Sequence, residues 1–162
     1  MFIHRLALGL SLVAMAVAAP VAIQAADYKV GSLEIVQPWS RATPPTAQAA
    51  GGFLTITNKG TTPDRLIAVR GAAADKVEIH EMKMDGNVMR MRELEKGLEI
   101  PPGATVELKP GSFHIMFMGL KAPFAKDAKV PITLVFEKAG SIDVDLVVQA
   151  MGAQPPVHQK QH

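Results

Sequence analysis

Two histidines and six of the nine methionines of the chain lie within residues 80–118. His114 and Met116 are two residues apart in an alternating apolar run, so in a β-strand their side chains leave the same face. His80 ends an earlier strand-like segment, and Met91 lies in the next one. Two imidazole nitrogens and two thioether sulfurs form an uncharged donor set, which favours a soft monovalent cation. The pattern therefore predicts a Cu(I) site formed by His80, Met91, His114 and Met116.

Four further methionines compete for the two sulfur positions: Met82, Met84, Met89 and Met118. Met89 would replace Met91 if the pairing of the two strands were shifted by two residues. A single methionine in an apolar strand is usually part of the core. The metal interpretation depends on three segments that carry methionines at alternate positions, two of them with a histidine in the same register. A structural domain with a methionine-rich core stays open as an alternative.

The donor types exclude several other kinds of site. Thioethers bind Cu(I) without losing a proton, whereas Zn(II) prefers thiolate or carboxylate beside imidazole, and Ca(II) or Mg(II) requires oxygen. The chain has no cysteine, which excludes a nucleophilic thiol and the thiolate of a blue-copper site. It also lacks a nucleophile–base motif, paired catalytic carboxylates and a phosphate-binding glycine loop, so we do not expect an enzyme.

The chain of 162 residues divides into three predicted parts. Residues 1–25 have a positive start, an apolar run and a small-residue end, as in a cleaved signal peptide that directs export to the periplasm. Residues 26–149 form one domain, and residues 150–162 form a polar, flexible tail. Removal of the signal leaves 16 basic and 15 acidic residues, which is not a nucleic-acid-binding pattern. No second apolar stretch reaches membrane-spanning length, so stable membrane insertion is not expected.

The domain is predicted to be all-β, with about eight or nine short strands separated by turns, in a sandwich or barrel. Asp85-Gly86 signals a hairpin between two of these strands. Pro38, Pro44 and Pro45 are expected to interrupt regular structure between the first two long strands. No segment has a convincing helical period.

The tail contains donors of its own. Met151, His158 and His162 are candidates for a second, looser site at which the imidazoles would accept Cu(II). The competing interpretation is a solvated chain end in which these residues have no role.

The motif spacing resembles that of the periplasmic copper(I)-binding PCu(A)C chaperones. His80 is followed by Met91 after ten residues and later by the triplet His114-Ile115-Met116. Residues 39–42 and residues 52–58 are also similar to that family. One departure is the spacing between Met91 and His114, which at 22 residues is one longer than usual. We expect the extra residue in the loop at residues 95–97, where it need not disturb strand pairing.

The resemblance implies a cupredoxin-like Greek-key sandwich that binds Cu(I) through His80, Met91, His114 and Met116. It also implies delivery of the metal to the dinuclear copper centre of cytochrome c oxidase subunit II, in some bacteria alongside a thioredoxin-like thiol protein. A periplasmic copper-buffering or resistance protein without a dedicated acceptor would use the same ligands. This alternative stays open at the level of the sequence.

Overall fold

The computed structural model describes residues 27–155, which form eleven β-strands and no helix. The predicted signal peptide and the histidines of the tail, His158 and His162, lie outside the described residues. No helix in the described part of the chain is long and apolar enough to span a membrane. The strands are β1 (Tyr28–Val30), β2 (Leu33–Arg41), β3 (Ala49–Asn58), β4 (Asp64–Arg70), β5 (Ala74–Asp85), β6 (Val88–Glu93), β7 (Leu98–Ile100), β8 (Thr105–Leu108), β9 (Phe113–Leu120), β10 (Lys129–Phe136) and β11 (Gly140–Gln149).

The strands join one continuous sheet in the order β6-β5-β9-β8-β3-β2-β11-β10-β4-β7, with β1 paired to β2. Strand β9 also pairs with β3, so it lies between β5 and β3. The sheet folds back on itself, because Phe117 of β9 and Ile132 of β10 both lie close to Gly71. The inner faces of its two halves therefore share one hydrophobic core.

Alternation along β9 separates the core from the opposite face. Ile115 and Phe117 are completely buried and belong to the core cluster. Because successive side chains of a strand leave opposite faces, His114, Met116 and Met118 leave the other face. One strand thus contributes to the core and to the predicted metal site.

The all-β fold class is confirmed, but the prediction of eight or nine strands was too low. Residues 28–36, which alternate loosely in the sequence, form β1 and the first part of β2 and not a single strand. Gly31, with φ +55°, provides the turn between them, a left-handed conformation that glycine adopts at little cost.

The expectation that Pro38 interrupts regular structure was wrong. Strand β2 continues to Arg41, and it accommodates the proline at an irregularity where its pairing with β3 shifts between Val36 and Trp39. Gln37 has φ 52° at this point. A bulge leaves a residue outside the hydrogen-bonded ladder, which is where a strand tolerates proline.

The predicted hairpin at Asp85-Gly86 is present. Asp85 pairs with Val88 across a two-residue turn, and Gly86 has φ +61° at its first position, as in a type II′ turn. Beyond Glu81 strand β5 no longer pairs with β9 and continues with β6 alone. Every residue of β6 is exposed, so the end of this hairpin extends past the core into solvent.

Gly97 lies in the loop expected to hold the extra residue, and it packs closely against the backbone of Leu66. A Cβ atom there would overlap the carbonyl oxygen of Leu66, and φ is +77°. Gly103 has a similar φ of +71° but open space around its Cα. We expect Gly97→Ala to lower the free energy of unfolding by about 3 kcal/mol or more and Gly103→Ala by about 1–2 kcal/mol. Urea unfolding would measure both, and equal losses would contradict the proposed backbone clash.

Candidate metal centre

His80 and His114 are cross-strand partners on β5 and β9. Their ring centroids are 5.8 Å apart, and the ring planes are inclined by 56°. His114 is 5% exposed, and the side chain of His80 is 11% exposed. The structure therefore brings the two predicted imidazole ligands together in a largely buried position on the face opposite the core.

The hydrogen bonds of the two rings determine which nitrogens are free to bind a metal. His80 Nε2 donates to Glu78 Oε2 at 2.8 Å, and His114 Nδ1 donates to the carbonyl oxygen of Ser112 at 3.0 Å. In a neutral imidazole the other nitrogen then carries the lone pair, which is Nδ1 in His80 and Nε2 in His114. His80 Nδ1 is buried without a hydrogen-bond partner among the described residues. An unpaired buried acceptor is costly and is suited to a metal ligand.

Glu78 is a component of the site that the sequence analysis did not identify. It lies two residues before His80 on the same face of β5, is almost buried, and contacts Lys76 Nζ with its second carboxylate oxygen. The hydrogen bond from His80, followed by that from Lys76, lowers the pKa of Glu78 below its ordinary value. Its charge is therefore retained, and it fixes the ring orientation of His80. The two-residue spacing of Glu78 and His80 can be read from the sequence, but the hydrogen bond between them cannot.

The pKa of His114 lies below its ordinary value. Burial of the ring is the largest cause, the hydrogen bond to the Ser112 carbonyl opposes it, and the proximity of His80 adds to the lowering. The lowered pKa keeps this imidazole neutral, and able to bind a metal, at a lower pH than an exposed histidine.

The two predicted methionine ligands lie on the same face of the sheet as the imidazoles. Met116 is two residues from His114 along β9, is partly buried, and pairs with Glu78 on one side and Gly51 on the other. Met91 of β6 pairs with Met82, so it is a diagonal neighbour of His80. Diagonal neighbours in antiparallel sheets are about 7–8 Å apart, a distance that long side chains can span.

The same strand register shows how far each competing methionine lies from His80 along the sheet. Met82 lies opposite Met91, and Met89 lies opposite Met84, one step further toward the hairpin tip. Met118 lies at the other end of β9, opposite Lys76. Met91 is therefore closer along the sheet to His80 than Met89 is. Among residues 27–155, no group of three or more histidine, aspartate or glutamate side chains is placed to hold a metal ion.

An aromatic pair adjoins the candidate site on the neighbouring strands. The Phe53 ring covers Gly51, the cross-strand partner of Met116, so closely that a Cβ on this glycine would lie 2.8 Å from it. Trp39 is 4.7 Å from Phe53 between ring centroids. Arg41 lies near both rings and donates from Nε to the carbonyl oxygen of Ala153 at 2.8 Å. The start of the predicted tail thus lies near this face.

The candidate second site of the tail is described only in part. Met151 is 61% exposed, whereas His158 and His162 lie outside the described residues. A Cu(II) site in the tail therefore stays a prediction.

Comparison with known proteins places these features in context. Residues 33–148 match the family model described as LpqE-like, putative lipoprotein LpqE-like. The putative lipoprotein Lxx21020 of Leifsonia xyli subsp. xyli is 31% identical over 140 residues, which cover 86% of this chain and 83% of the relative.

Two solved structures extend the comparison to copper. The copper-bound PCuAC domain from PmoF2 is similar with a TM-score of 0.66 and 29% identity, over 77% of this chain and 98% of that domain. The solution structure of CuI-DR1885 from Deinococcus radiodurans is similar with a TM-score of 0.57 and 27% identity, over 78% of this chain and 81% of that one. These similarities agree with the resemblance that the motif spacing indicated.

We predict that Glu78 controls Cu(I) affinity through the orientation of His80. Glu78→Ala removes the acceptor of the Nε2 proton and should weaken Cu(I) binding about 10- to 100-fold, whereas Glu78→Gln keeps an acceptor and should weaken it less. Glu93 is a matched control, because it pairs with His80 from β6 but is exposed. Competition titration would give the affinities, and nitrogen NMR of the copper-free protein would report the tautomer of His80. An unchanged tautomer and affinity in Glu78→Ala would contradict the role of Glu78.

We also predict an acid-sensitive contribution of His114 to the stability of the copper-free protein. Its folded pKa is below the ordinary value of 6.5, so below about pH 6.5 the unfolded chain binds more protons than the folded chain. The stabilisation is complete above this pH and is lost as the pH falls through the folded pKa. Urea unfolding between about pH 7.5 and 4.5 should show a steeper loss for the wild type than for His114→Gln. Parallel curves would contradict this contribution.

Proposed function

Because the chain belongs to the LpqE-like family, we propose that it is an exported copper carrier that binds Cu(I) through His80, Met91, His114 and Met116. The observation that supports this most strongly is the buried pair of His80 and His114, in which hydrogen bonds to Glu78 and Ser112 leave one nitrogen of each ring free. The copper-bound state of similar solved domains supports the identity of the cargo.

The residues of the site have separable roles in this proposal. The two imidazoles, fixed by their hydrogen bonds, bind the ion from adjacent strands. Met116 and Met91 would approach it from β9 and β6, and their thioethers select Cu(I) over harder cations. All four ligands are neutral, so the ion keeps its charge, and the nearby carboxylate of Glu78 partly offsets it. Such a site can be buried at moderate cost.

Carriage of the metal is favoured over catalysis. A shell of four protein ligands leaves no open position, whereas catalytic metal sites keep one for substrate. Met91 is 45% exposed while His114 is 5% exposed. The outermost ligand is therefore the one that a partner could displace first, and the metal could leave by stepwise exchange of ligands.

The proposed recipient is the dinuclear copper centre of cytochrome c oxidase subunit II, and a thioredoxin-like thiol protein is a further proposed partner. The periplasm is the proposed location, and the similarity to a putative lipoprotein supports export. The alternative, a copper-buffering protein without a dedicated acceptor, would use the same ligands. It differs from a carrier only in that it does not transfer Cu(I) to the oxidase.

Substitution of His114 tests binding, and mixing with an acceptor tests delivery. We expect His114→Ala to weaken Cu(I) binding about a hundredfold or more, because it removes a directly coordinating nitrogen, while far-ultraviolet circular dichroism stays that of an all-β protein. Met118→Leu is the control, since it changes a methionine of the same face of β9 at its far end. Equal Cu(I) affinities of the wild type and of His114→Ala would contradict the proposed site.

For delivery, the Cu(I)-loaded protein would be mixed anaerobically with the copper-free soluble domain of oxidase subunit II. Appearance of copper in that domain after separation is the expected result. In a parallel control, a chelator whose Cu(I) affinity matches that of the carrier should remove the copper. If the chelator removes copper but the oxidase domain receives none, the buffering alternative is favoured.

A further inference from the structure

Three methionines on the outer half of the β5–β6 hairpin are not needed by the four-ligand site. Met82 and Met84 alternate along β5 on one face, and Met89 is the cross-strand partner of Met84. Met82 lies opposite Met91, which is already assigned to the inner site. The face from the imidazoles to the hairpin tip is thus lined by thioethers on both strands.

The side chains at the outer end of the hairpin are much more exposed than core residues. Met84 and Met89 are each 52% exposed, and the hairpin in this region has lost its neighbour β9. Large apolar side chains that are exposed as a contiguous group usually mark an interaction site. Because a thioether is a soft metal ligand, an exposed group of methionines can bind a soft metal ion.

The backbone geometry allows the three sulfurs to reach one ion. Directly opposed residues of an antiparallel pair have Cβ atoms about 4.5–5.5 Å apart, and a methionine side chain has three rotatable bonds. Two ion pairs connect the strands of the hairpin, Arg90 Nε to Asp85 Oδ2 at 2.7 Å and Arg92 to Glu81 Oε2 at 2.6 Å. These four side chains alternate with the methionines and so leave the opposite face. The thioether face itself carries no charge between Met82 and Met89.

We propose that Met82, Met84 and Met89 form a second, all-thioether Cu(I) site at the outer end of the hairpin. Three neutral sulfur donors without an imidazole bind a soft monovalent ion more weakly and more exchangeably than the inner site. The outer site receives Cu(I) at the exposed end, and Met91, opposite Met82, connects it to the buried histidines. This inference rests on the proposed Cu(I) function but adds ligands that the inner site does not use.

The test is an anaerobic titration of the mature protein, labelled with carbon-13 at the methionine methyl groups and the histidine rings, with Cu(I) supplied as its weak acetonitrile complex. The wild type should bind two equivalents, of which the first shifts the signals of Met116 and the histidine rings and the second shifts those of Met84 and Met89. Met84→Leu/Met89→Leu keeps the apolar volume but removes two sulfurs, and it should bind only the first equivalent. Met118→Leu, at the opposite end of the same face, should still bind two.

The outcomes separate the outer site from the inner one. A wild type that binds one equivalent, with unmoved Met84 and Met89 methyl signals, overturns the outer site and leaves the proposed function intact. Two equivalents in the double variant also overturn it. If the histidine rings never shift while the Met84 and Met89 signals do, the inner site fails and the outer site stands. The measurement on the wild type does not depend on the folding of any variant.

Discussion

The pairing of His80 with His114 across β5 and β9 is the contact on which the candidate site depends. A shift of one residue in this register would turn one imidazole to the core face and would leave no site. The register is secured from the opposite face, where Ile79 and Ile115 are buried as cross-strand partners in the core. Hydrophobic packing on one side of these strands thus fixes the relative position of the candidate imidazole ligands on the other.

The strands that form the candidate site differ in exposure. β9 has no exposed residue, β5 is exposed from Lys83 to its end at the hairpin, and β6 is exposed along its whole length. The candidate ligands follow this gradient, from buried His114 to half-exposed Met91. In the proposed carrier, the buried inner half would hold the ion and the accessible outer half would exchange it. This division suits a carrier better than a permanent metal centre.

Much of this arrangement could be predicted from the sequence because it depends on local pattern. Two-residue alternation placed His114 and Met116 on one face, the Asp85-Gly86 turn gave the hairpin, and the motif spacing indicated the PCu(A)C resemblance, which the family and structural comparisons confirm. Features that depend on contacts between side chains or on irregular pairing between strands could not be predicted. The hydrogen bond between Glu78 and His80 is one example, because neighbouring glutamates on strands are usually solvated. The passage of β2 through Pro38 is another, since it depends on a bulge relative to β3.

The most direct test of the account is X-ray absorption at the copper edge of the protein loaded anaerobically with less than one equivalent of Cu(I). We expect a cuprous edge and a first shell with two nitrogen and two sulfur neighbours for the wild type, and only one nitrogen from the protein for His114→Ala. A first shell of nitrogen and oxygen without sulfur would contradict it, because the two methionines would then not be ligands.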